Sequence, residues 1–239
     1  MLGIKPGRGR GSKDEAEKPF WISFSDLMTA LMVLFLVAMA VALMAVTSGL
    51  ARIKSEGQAR GQEISGCMVD MKKLAEEREF AGVEIRGYSI EFGKLAEFKN
   101  NDHRLDPAEE RFVRAFIPKV LRVAKQPQCD KWLKRIVVEG FASQVGSYLY
   151  NLNLSFLRSQ RILCVVLDSH PADALTLEDR KQIRKLFLVG GSSFNTATTS
   201  ESQMRRVELK LEFRDLGTAK ELTREIPWDE DPKCPNDFR

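Results

Sequence analysis

WISFSDLMTALMVLFLVAMAVALMAV, residues Trp21–Val46, is an apolar run that carries one charged side chain, Asp26. Every other position in it is apolar or a small hydroxyl residue. As an α-helix, about 26 residues rise roughly 39 Å, enough to cross a hydrocarbon core of ~30 Å with some tilt. No water at that depth can satisfy backbone groups, so a lone span has to be helical. The pattern predicts a single transmembrane helix over residues 20–46. A cleaved secretory signal is the competing reading, but its apolar core runs only ~7–15 residues. A lipoprotein would need a cysteine directly after the run, and the first cysteine is Cys67.

The flanks orient the span. Lys5, Arg8, Arg10, Lys13 and Lys18 precede it, Trp21 suits an interfacial anchor, and only Arg52 and Lys54 follow closely. Positive charge is retained on the cytoplasmic side, which predicts a cytoplasmic N-terminus and a periplasmic C-terminal region. The expected location is the bacterial inner membrane, single-pass. In an oxidising periplasm, Cys67, Cys129, Cys164 and Cys234 are free to form disulfides, and four cysteines allow three pairings. Cys67 could also pair across a dimer.

The rest of the 239-residue chain has room for one globular domain. A net charge of +4 spread along the chain gives no concentrated basic patch, so nucleic-acid binding is not expected. Residues 1–19 read as a charged cytoplasmic tail, and 47–82 as a periplasmic stalk. Gly49, Gly57, Gly61 and Gly66 punctuate the first half of that stalk, and an amphipathic helix from Met68 to Phe80 forms the second.

From Val83 the pattern alternates. Val83, Ile85, Tyr88, Ile90 and Phe92 predict a strand with a break near Gly87. Asp106-Pro107 opens a helix to Val123 as a capping side chain followed by proline at the first position. Leu133–Gly140 predicts a strand, Tyr148–Leu167 and Leu177–Phe187 predict helices, and Val207–Phe213 predicts a last strand after a polar loop, Gly190–Ser202. Strand, helix, strand, helix, helix, strand makes an α/β (α+β) sandwich over residues 83–214, with helices on one sheet. Residues 215–239 read as a polar tail.

Asp26 is the functional candidate of the membrane segment. A charge at membrane depth costs a few kcal/mol even on lenient scales, so such residues face protein or water and mark ion routes. Ser23, Ser25 and Thr29 lie beside it and can donate hydrogen bonds or help hold a small cation. Helical spacing places Ile22, Asp26, Thr29, Ala30 and Val33 on one face, aimed at a partner subunit. One helix cannot form an ion route alone, so a multi-span partner is implied. His103 and His170 have no second ligand at metal spacing, and Gly190-Gly191-Ser192-Ser193 lacks the lysine of a phosphate loop. No catalytic arrangement stands out; neither an enzyme nor a cofactor is expected.

Phe20–Val37 resembles the transmembrane segment of the MotB family of flagellar stator B subunits, and more closely the MotB-like B subunits of Zorya anti-phage defence systems. The resemblance implies that Asp26 takes up the translocated ion, H+ rather than Na+, inside a pentameric ZorA-like channel ring around a dimer of this chain. Val137–Gly146 followed by Asn151-Leu152-Asn153-Leu154-Ser155-Phe156-Leu157-Arg158 resembles the core of OmpA-like peptidoglycan-binding domains, as does Arg205-Arg206-Val207-Glu208-Leu209. There the resemblance implies that Arg158 grips the carboxylate of diaminopimelate in the cell wall, with Tyr150, Asn151 and Leu154 beside it. One position departs: the family's aspartate, which holds the ligand's amine, is Ser143 here. Weaker wall binding, another carboxylate, or a need for dimerisation would follow. The competing functional readings are a flagellar stator subunit, a purely structural wall tether, and an energy transducer of the ExbD or TolR kind.

Overall fold

A computed structural model describes residues 14–193 and 204–218. The expected tails therefore lie largely outside the described residues, as do Cys234 and the later part of the Gly190–Ser202 loop. Two compact units divide the chain between Glu56 and Gly57.

Helix α1, Asp14–Ala75, contains the one described segment long and apolar enough to cross a membrane. The glycines expected to punctuate the stalk do not interrupt it. An isolated glycine costs only about 1 kcal/mol against alanine, and the intervening residues are mostly good helix formers. In the second unit the helix also gains tertiary support. Ile64, Cys67, Met71, Leu74 and Ala75 recur at helical spacing and are all buried. The carboxylate of Glu63 pairs with Lys131 at 2.7 Å and accepts from the Trp132 indole, while Arg60 Nε donates to the Arg214 carbonyl at 2.8 Å.

The sheet domain follows. Strands β1 (Glu84–Arg86) and β2 (Ser89–Glu91) form a hairpin. The break expected near Gly87 is this turn, where Gly87 sits at φ 59°, a region open to glycine at little cost. Helix α2 (Pro107–Ala124) starts at Asp106, whose side chain accepts from Ala108 and Glu109 while Glu109 reaches back to the Asp106 backbone. Pro118 is accommodated inside it. A single turn, α3 (Pro127–Asp130), precedes strand β3 (Leu133–Gly140). Helices α4 (Tyr148–Leu167) and α5 (Leu177–Leu186) come next. Strands β4 (Phe187–Gly191) and β5 (Val207–Phe213) complete the fold.

Strand order is β1-β2-β5-β3-β4, antiparallel throughout except for the parallel β3–β4 pair. Ile136, Val138, Leu209, Leu211, Val207, Ile90 and Phe187 line the buried face with Val113, Ile117 and Ile162 of the helices. Phe80 and Phe92 meet Phe112 and Phe116 edge-on, and the latter two stack on each other. The result is an α/β sandwich preceded by one apolar helix.

Strand β4 was not legible as a strand. Phe187 was expected to end α5 and Gly190 to open a loop. Instead, Phe187 pairs with Ile136 and enters the core. Five residues ending in two glycines carry too little periodicity to separate a strand from a helix end.

Cys67 and Cys129 form an intramolecular disulfide, which settles that pair among the open pairings and ties α1 to α3. Cys164 is disulfide-bonded as well, and no described cysteine is free.

Candidate functional site

Two groups of predicted residues occupy two separate places in the chain. Ser23, Ser25, Asp26 and Thr29 share less than two turns of α1. All four are exposed on the helix. The Thr29 hydroxyl donates to the Ser25 carbonyl at 2.6 Å, the back-bonding open to a hydroxyl one turn along a helix. Its oxygen lone pairs stay available as acceptors. What this segment offers is one carboxylate flanked by hydroxyls on an otherwise apolar helix.

The second group is built around the start of α4. Ser147 caps the helix by accepting from Tyr150 N at 3.3 Å. Gly146, at φ 105°, turns the chain into that cap. Asn151 is buried, and its amide donates to the Val145 carbonyl at 3.0 Å, pinning the turn to the helix. Leu154 is buried one turn later. Tyr150 is exposed at its ring and donates its hydroxyl proton to Asn101 Oδ1.

Arg158 is the largest fully buried side chain, 1% exposed. Its Nη1 donates to the Phe141 carbonyl at 2.7 Å, Nε to the Asp102 carbonyl at 3.0 Å, and Nη2 to the Lys99 carbonyl at 3.1 Å. The guanidinium also lies 5.3 Å from the centre of the Phe98 ring. Burial, and then the like charge of Arg205, pull Arg158 down to about 10, so it remains a cation at neutral pH. Arg158 thus fastens the segment 99–102 to the turn that follows β3. Arg205 assists, with Nε donating to the Phe98 carbonyl at 3.1 Å and Nη2 pairing with Glu97 at 3.2 Å.

Two close approaches hold α4 on the sheet. A Cβ on Gly140 would lie 1.9 Å from the Ser155 carbonyl oxygen, and one on Gly191 would lie 2.7 Å from Ser155 Oγ. Ser159 Oγ donates to the Gly190 carbonyl at 2.8 Å, and Ser193 N donates to Ser155 Oγ at 3.1 Å. The small residues of Asn-x-x-Leu-Ser-x-x-Arg-Ser therefore serve the packing of α4 on the sheet.

Tyr150, Asn151, Leu154 and Arg158 all lie on α4, where Tyr150 is exposed and the other three are buried. Ser143 lies buried in the adjoining turn. Sequence reasoning missed the segment Lys99–Arg104. Asp102 there accepts from the backbone N–H of His103 at 2.8 Å and of Arg104 at 3.0 Å, and from the Arg104 guanidinium at 3.0 Å. Arg104 first, and then those backbone donors, hold the Asp102 carboxyl down at about 2 against its burial. The signal available was the run Asn100-Asn101-Asp102, a turn-forming composition.

The family model described as membrane MotB of the proton-channel complex MotA/MotB matches residues 5–48, which include Asp26. Among solved structures, a putative MotB-like protein from Desulfovibrio vulgaris is 16% identical, with 66% of this chain and 96% of that one covered and a TM-score of 0.41. The OmpA-like domain of FopA1 from Francisella tularensis is also 16% identical, with 59% and 90% covered and a TM-score of 0.35. The Zorya protein ZorB of Escherichia coli O139:H28 is 40% identical over 229 residues, spanning 95% of this chain and 93% of that protein. Identity of that level across nearly the whole of both sequences makes this chain a member of the ZorB family.

Proposed function

We propose that this chain is the stator-type subunit of an ion-driven motor in the bacterial inner membrane that serves anti-phage defence. It is anchored to peptidoglycan by its C-terminal domain. The observation that carries the reading is the full-length match to ZorB together with a MotB match over the segment that holds Asp26.

In this reading the N-terminus lies in the cytoplasm and the sheet domain in the periplasm. Two copies place their Asp26 carboxylates inside a pentameric multi-span ZorA-like channel. A proton arriving at Asp26 neutralises it and changes its contacts with the ring; release restores the charge. Ser23, Ser25 and Thr29 support the ion on its way. An aspartate on an otherwise apolar membrane helix normally faces protein or water, which supports a partner at this face. On the wall side, Arg158 provides the cation for a wall carboxylate, next to Asn151, Leu154 and Tyr150.

Removal of this reading frame from its native operon tests the defence setting. Phage plaquing should rise to the level of cells without the operon, and complementation in trans should restore protection. Unchanged protection after deletion would rule the chain out of defence.

A further inference from the structure

Glutamates from four strands stand in one row across the sheet. Glu84 on β1 pairs in register with Glu91 on β2, Glu91 with Glu208 on β5, and Glu208 with Glu139 on β3. Like charges directly opposite one another on neighbouring strands weaken a sheet. The row is only partly balanced. Arg86 reaches Glu84 at 2.7 Å and Glu91 at 3.5 Å, Arg206 reaches Glu208 at 2.6 Å, and Glu139 accepts from the Ser192 hydroxyl. Its middle members are shielded from water: the side chains of Glu91 and Glu208 are 15% and 10% exposed, against 61% for Glu84.

This row crosses the sheet at a short seam. Strand β2 meets β5 through Ser89–Lys210, Ile90–Leu209 and Glu91–Glu208, whereas β3 pairs with β5 along its length from Leu133 to Gly140. The β1–β2 hairpin, the first part of the sheet after α1, is thus held to β5 by a few pairs, and one of them sets carboxylate against carboxylate. Beside that pair lies a cavity of about 420 Å³, which Glu91 lines with Glu84, Arg86, Lys94, Glu97 and Arg206.

We propose that the Glu91–Glu208 pair makes the docking of the β1–β2 hairpin proton-sensitive: a proton on Glu91 fastens the hairpin to β5, and its loss loosens that edge. Burial, and then the charge of Glu208, hold the Glu91 carboxyl above its ordinary range, and Glu84 adds in the same direction. Arg86 and Arg206 pull it down without cancelling the rise. On the far side of the cavity, Lys94 and Glu97 oppose each other in sign. A docked hairpin that holds the Glu91 proton more tightly than an open one gains stability as pH falls toward the ordinary carboxylate value. It loses that gain as pH rises through the raised one.

Amide hydrogen exchange of the full-length chain in detergent, from about pH 8 down to about pH 5 and corrected for intrinsic rates, reads the opening of the hairpin. Protection of the β2 peptide relative to the β3 peptide should rise about threefold or more as pH falls over that interval. Glu91→Gln has no carboxyl to titrate, so its ratio should be high throughout and flat. Arg86→Gln removes a cation that lowers Glu91, so the rise should begin at higher pH. A wild-type ratio that stays flat, a rise that survives Glu91→Gln, or a rise that Arg86→Gln leaves at the wild-type pH overturns the proposal.

Discussion

Gly140 on β3 and Ser155 on α4 are in backbone contact: a Cβ on the glycine would stand 1.9 Å from the serine carbonyl oxygen. The glycine Cα that would carry it and the serine carbonyl both belong to main chain inside regular elements, so neither can swing away. Gly140→Ala should push α4 off the sheet and cost about 2–4 kcal/mol, the upper range for overpacking a core. Urea unfolding of the wild type and the variant checks it. A loss below about 0.5 kcal/mol would mean that the helix slides freely over this point.

Arg158 connects three carbonyls that belong to two loops. Arg158→Leu would leave the buried Phe141 carbonyl without this donor, at about 1–3 kcal/mol, and would free the half-buried Asp102 carbonyl, while the Lys99 carbonyl keeps the Asp102 N–H. The variant should lose several kcal/mol of stability in addition to any loss of muropeptide binding. Arg158→Lys keeps a charge but cannot fork toward three acceptors, so it should fall between the two. If Arg158→Leu unfolded at the wild-type urea midpoint, the buried network would have no structural weight.

The Cys67–Cys129 bond closes a loop of 62 residues. Chain entropy alone assigns such a crosslink about 4 kcal/mol. Replacement of both cysteines by serine should lower the unfolding temperature, and reduction of the wild type should have the same direction of effect. A linked peptide pair recovered under non-reducing digestion would verify the pairing directly. Recovery of Cys67 linked to a second copy of the chain would contradict it.

Asp102 sets an acid limit. Its folded value of about 2 lies below the ordinary 3.8, so its contribution is complete above about pH 4 and fades as pH falls toward 2. Wild type should therefore exceed Asp102→Asn in stability at neutral pH, with the difference shrinking over that interval. A difference that stays constant down to pH 2 would place its origin outside this carboxylate.

How much of this could be read without the structure depends on how long each pattern was. The membrane segment was legible because some two dozen apolar residues with one aspartate admit few other readings. Helices α2 and α4 and strands β3 and β5 were legible from capping residues and sustained periodicity. Strand β4 was not, since Phe187-Leu188-Val189 is too short to show a period and depends on Ile136 across the sheet for its conformation. The continuous α1 was missed for a related reason: the tertiary contacts of Ile64, Cys67 and Met71 that reinforce it past its glycines are invisible in a local window. At the candidate site the helix motif placed Tyr150, Asn151, Leu154 and Arg158 on one element. That Arg158 would be enclosed by Lys99, Asp102 and Phe141 could not be seen, because partners 17, 56 and 59 residues away in the chain leave no local trace.

The proposed coupling of an ion to defence through Asp26 is tested by phage plaquing on cells carrying the native operon with Asp26→Asn. Asparagine keeps the size and polarity of the side chain but cannot take up and release a proton. With membrane levels of the protein equal to wild type, the account predicts that protection is lost. Full protection by Asp26→Asn at equal levels would contradict it and leave a passive wall tether as the function of the chain.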